Sequence, residues 1–67
     1  MASILGEYYR PYDDSVEKLN QGGADHFQFY DELAVEHKLR QLIGSGVPKD
    51  SLLWCKYSQS YFVFVRK

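Results

Sequence analysis

The run Tyr61-Phe62-Val63-Phe64-Val65 constrains this chain more than any other feature, because it is apolar at every position. A strand with one wet face alternates apolar and polar residues, whereas a strand covered on both faces reads as a continuous apolar run. The preceding run, Leu52-Leu53-Trp54-Cys55-Lys56-Tyr57, is largely apolar too, and the link Ser58-Gln59-Ser60 has hairpin length. The expectation is a C-terminal β-hairpin over 52–65. With a three-residue link, Tyr57 faces Tyr61, Cys55 faces Val63 and Leu53 faces Val65. The other face then carries Leu52, Trp54, Lys56, Phe62 and Phe64. A two-residue link reshuffles the sets and still leaves both faces apolar. One helix covers one face, so the surplus on the other is expected to meet a partner or a second copy.

Length sharpens that expectation. A chain of 67 residues makes one small domain, and a domain of this size buries only about 60% of its unfolded surface. Such chains often rely on disulfides, a metal or a partner. One cysteine, Cys55, makes no intramolecular bridge, and one Cys with two His falls short of the four ligands of structural zinc. Association is the route left.

The short helix and the long helix are announced by caps. Asp14-Ser15-Val16-Glu17 fits a capping box, predicting a helix over 15–21 with Val16 and Leu19 inward, stopped at Gly22-Gly23. Asp25-His26-Phe27-Gln28 repeats the pattern and predicts a main helix over 26–43, closed by Gly44 and Gly46. That helix carries two apolar stripes instead of one: Phe29, Tyr30, Leu33 and Ala34 on one side, Val35, Leu39, Leu42 and Ile43 nearly opposite. A break near Val35, or cover on both sides, would reconcile them. So would a strand over 27–30 followed by a shorter helix from Asp31, as the alternation in Phe27-Gln28-Phe29 allows. Residues 1–12 are expected to form an arm or edge strand, weakened by Gly6 and ended by Pro11. The fold class expected is a small single α+β domain, a short and a main helix packed on an antiparallel hairpin.

Candidate chemistry is sparse. Cys55 with His26 or His37 resembles a nucleophile and base only in composition, and a Cys inside an apolar strand is more often a small hydrophobe. Asp25–His26 and Glu36–His37 are sequence neighbours that point to different helix faces, so neither is a metal clamp. Asp13-Asp14 and Asp31-Glu32 read as caps and first-turn charges. Gly22-Gly23 and Gly44-Ser45-Gly46 lack the Lys-Ser/Thr of a phosphate loop. No catalytic group, cofactor, metal or small-molecule substrate is expected.

Charge excludes more than it assigns. Nine acidic and eight basic residues give a net charge of −1, unlike a general nucleic-acid binder. No apolar run approaches the roughly eighteen residues of a membrane span. The stretch Met1–Glu7 has neither the basic region nor the apolar core of a signal peptide, and residue 2 is not the Gly of myristoylation. With an unpaired Cys, these features lead to the expectation of a cytoplasmic protein.

The functional expectation is therefore a non-catalytic protein-protein interaction module. Small regulatory or inhibitory proteins, including those of phages and mobile elements, commonly have this size and aromatic excess. The expected protein-binding residues are Trp54, Phe62 and Phe64 of the hairpin with Tyr8, Tyr9 and Tyr12 of the arm, since Tyr and Trp favour interfaces. The partner would be a larger protein or a homo-oligomeric copy. The alternative is a small nucleic-acid-binding domain of helix-plus-hairpin type using Arg10, Lys56, Arg66 and Lys67. Against it, the hairpin tip has no base and the main helix carries Asp31, Glu32 and Glu36.

Overall fold

The all-apolar run lies on the central strand of a three-stranded antiparallel sheet. A computed structural model describes residues 4–66. In chain order these form helix α1 (Ile4–Tyr8), helix α2 (Asp14–Lys18) continued by a π-type turn (Leu19–Gly23), and strand β1 (Ala24–Phe29). Helix α3 (Glu32–Gly44), a 3-10 turn (Lys49–Ser51), strand β2 (Leu52–Tyr57) and strand β3 (Ser60–Arg66) follow. The sheet order is β1-β3-β2. The α+β class and the helix-on-sheet packing match the expectation from sequence.

Three elements differ from that expectation. Residues 24–29 are an edge strand paired with β3, with Phe27 opposite Val63 and Phe29 opposite Tyr61. The expected helix over 26–43 is therefore shortened to α3, whose N-cap is Asp31: its side chain accepts from the Leu33 amide at 3.3 Å. Pairing with the apolar central strand outweighs the local capping signal at Asp25. Within the arm, residues 4–8 are a helical turn, not a strand; Met1–Ser3 lie outside the described residues. The short helix is capped one residue early, by Asp13, which accepts from the Val16 amide at 3.1 Å. It runs over 14–18 and then widens into the π-type turn, which Gly22 ends at φ 128, a value glycine adopts without a Cβ penalty.

The hairpin register differs by one. Tyr57 pairs with Ser60, so the link is two residues, and Trp54 faces Val63 while Cys55 faces Phe62. Among the described non-glycine residues only Ser58 has a positive φ, 60°, which puts the first loop position alone in the range that a type II′ turn requires.

Both faces of β3 are covered from within the chain. On one face Tyr61, Val63 and Val65 meet Leu52 and Trp54 of β2 and Phe27 and Phe29 of β1, under Val35, Leu39 and Leu42 of α3 with Ile4, Leu5 and Tyr8 of α1. On the other, Phe62 and Phe64 meet Leu53 and Cys55, under Val16, Leu19 and Tyr12. The short helix and π-type turn are thus the second cover. Helix α3 closes with paired bonds, the Gly46 amide to the Ile43 carbonyl at 3.0 Å and the Val47 amide to the Leu42 carbonyl at 3.1 Å. This is a Schellman arrangement in which Val47 joins Leu42 against the core.

Candidate functional site

The expected protein-binding set does not form one surface. The two-residue link puts Trp54 on the α3 face and Phe62 with Phe64 on the opposite one. Trp54 is only 7% exposed and Phe64 0%, so both are part of the core. Tyr8 is buried in the same cluster as Trp54. Tyr9 bridges to Trp54 alongside β2 and packs edge-on against its ring, centroids 5.0 Å apart. Tyr12 lies on the other side, with its ring centroid 4.3 Å from that of Tyr57; burial, then Glu17, pushes its hydroxyl above the usual pKa. On that face Tyr57 is exposed, with Tyr12 and Phe62 half-buried beside it.

The larger apolar feature is at the start of α3. Helix α3 turns Val35 and Leu39 into the core, which carries Leu33 to the outside. Tyr30, in the link from β1, is 75% exposed and Leu33 64%. The two residues, Leu5 of α1 and Tyr61 of β3 line a cleft of about 410 Å³ whose remaining lining is Asp31, Glu32 and Glu36. Tyr30 is held in place at the sheet edge: its hydroxyl accepts from Gln28 Nε2 at 3.2 Å, and the same amide donates to Ser60 Oγ at 3.1 Å. The apolar stripe containing Tyr30 and Leu33 is the sequence signal of this surface, and both residues lie outside the expected binding set.

The basic residues of the alternative reading are split. Arg10 and Arg66 line the same two adjoining clefts near the C-terminal end of β3, one of which, about 280 Å³, also includes Lys49 with Glu7 and Asp50. Lys56 is elsewhere, its ammonium 5.6 Å from the centre of the Tyr61 ring. Lys67 lies outside the described residues.

Cys55 is fully buried, and desolvation pushes its thiol pKa up to about 11. A thiolate, the species that attacks or binds metal, is strongly disfavoured there. His26 projects from β1 on the same face, opposite Phe64 in register, with its ring 6.4 Å from that of Phe64; His37 is exposed on α3. Among the described residues, no three His, Cys, Asp or Glu side chains gather to hold a metal, and no helix is long and apolar enough to cross a membrane. Comparison with protein-family models, with curated proteins and with solved structures gave no match.

Proposed function

We propose that this chain is a non-catalytic, regulatory-type protein-binding module, cytoplasmic as its lone buried thiol suggests, and that it docks on a larger protein through the cleft at the start of α3. One observation carries the reading: a chain able to bury both faces of its sheet leaves Tyr30 and Leu33 largely exposed beside a concave floor. Contiguous exposed apolar surface beside polar residues is characteristic of binding surfaces. Photo-cross-linking in the native host tests it. A photoreactive residue replacing Leu33 should give a discrete protein adduct that Tyr30→Ser abolishes; adducts no stronger than those from exposed Lys18 would remove the reading.

A second reading keeps nucleic acid, favoured by the convergence of Arg10 and Arg66 on common clefts. Salt titration against generic DNA and RNA tests it: a steep loss of affinity with salt supports it, and no binding at low salt removes it.

A further inference from the structure

We infer that the partner's docking segment is cationic and amphipathic, an aliphatic or aromatic side chain entering the cleft with a Lys or Arg about one helical turn away. The inference rests on the docking reading and adds the partner's chemistry. The cleft lining has three carboxylates and no base, although acids and bases are nearly balanced in the chain, nine to eight.

Several bases among the described residues are engaged or placed elsewhere. Lys38 lies 4.1 Å from the centre of the Phe27 ring and donates to Gln41, Lys49 lies over Tyr8, and Arg10 and Arg66 line clefts near the far end of β3. Arg40 follows Glu36 by one turn of α3, and Lys56 lies over Tyr61, which lines the cleft.

The acids differ in what they already do. Asp31 caps α3, and the helix dipole favours Glu32 in the first turn. Glu36 already interacts within the chain. Glu32 and Glu36 are nonetheless like charges at i,i+4, an arrangement that mildly destabilises a helix. A cation placed between them relieves that repulsion. Glu32 is exposed on the cleft wall next to Leu33, so it is the carboxylate that an incoming base meets first. Charge and apolar surface thus describe one occupant, of the kind that lays an amphipathic helix in a groove.

Two synthetic peptides of equal length test this, one patterned with Leu and Lys, the other with Leu and Glu, titrated into the labelled protein by NMR. The Leu/Lys peptide should bind with amide shifts centred on Tyr30, Glu32 and Leu33, and the Leu/Glu peptide should not. Leu33→Ser should abolish the binding. Glu32→Gln should weaken it by about two- to five-fold, and Glu32→Lys by more, as expected for exposed charge pairs; retained spectral dispersion shows that each variant is folded. Equal binding of both peptides overturns the cationic assignment and leaves the docking reading standing. Shifts centred on Tyr12, Tyr57 and Phe62, or no binding by either peptide, also overturn the inference, and the cross-link from position 33 then decides the docking reading by itself.

Discussion

The indole N–H of Trp54 donates to the backbone carbonyl of Leu5 at 2.6 Å, joining the first helix to the outer strand of the hairpin. A helix of five residues has no independent stability. Its place depends on this bond, on Tyr8 in the core, and on the bond from the Arg10 amide to the Trp54 carbonyl at 3.0 Å. Trp54 is therefore a structural residue. Trp54→Ala should cost about 3–5 kcal/mol, comparable to the whole stability of a domain this small, about 3–10 kcal/mol. Urea denaturation should find the variant largely unfolded, and Trp54→Phe folded but weakened. A stable, well-dispersed Trp54→Ala protein would place the residue at an interface instead.

Surface and core apolar residues should separate cleanly. Leu39→Ala should lose about 2–5 kcal/mol, since Leu39 is fully buried. Tyr30→Ser and Leu33→Ser should stay within about 0.5 kcal/mol of the parent, as exposed positions do. Thermal unfolding checks both. A large destabilisation from Leu33→Ser would mean that this residue serves the fold.

Cap positions distinguish the observed start of α3 from the one suggested by the Asp25 pattern. Asp31→Ala should cost about 1 kcal/mol, and Asp31→Asn should restore most of it. Asp13→Ala should cost a similar amount through α2. Denaturation followed by circular dichroism measures these differences; indifference to Asp31→Ala would contradict the cap.

Much of the hairpin and both helix C-terminal stops were legible, because apolar β-prone runs and glycines are local signals. Edge strand β1 was legible only as the alternative to a long helix, a strand over 27–30 with a shorter helix from Asp31. Asp25, His26 and Gln28 are exposed on it, and the same residues imitate a capping box, so only the long-range pairing with β3 decides between strand and helix. The register depended on Ser58 taking a positive φ, which serine does not advertise. A three-residue link puts Trp54 on the face of Phe62 and Phe64, and so assembles an interface set that the observed register separates. The helix periodicity turns Val16 and Leu19 inward, yet nothing local says that they cover the second face of the sheet. Of the site, Tyr30 and Leu33 were visible as a misplaced stripe, and their meaning required knowing where α3 begins.

The buried thiol gives a pH signature. The folded-state pKa of Cys55, about 11, lies above its ordinary value of 9.0, so its contribution to stability is complete below about pH 9 and is lost as pH rises toward 11. Parent stability relative to Cys55→Ala should fall by about 1.4 kcal/mol per pH unit across that window. With Tyr12, whose hydroxyl Cys55 helps to hold above its usual pKa, replaced by Phe in both proteins, the comparison cancels the titrations that do not depend on Cys55. A constant difference from neutrality to pH 11 would contradict the burial.

Amide hydrogen exchange along β3 across a wide dilution series tests most directly whether this chain covers its own central strand. The amides of Phe62 to Val65 that bond to the flanking strands should be among the slowest to exchange and should keep the same protection at every concentration. Protection that falls on dilution would contradict the account, showing that a second molecule completes the sheet's cover.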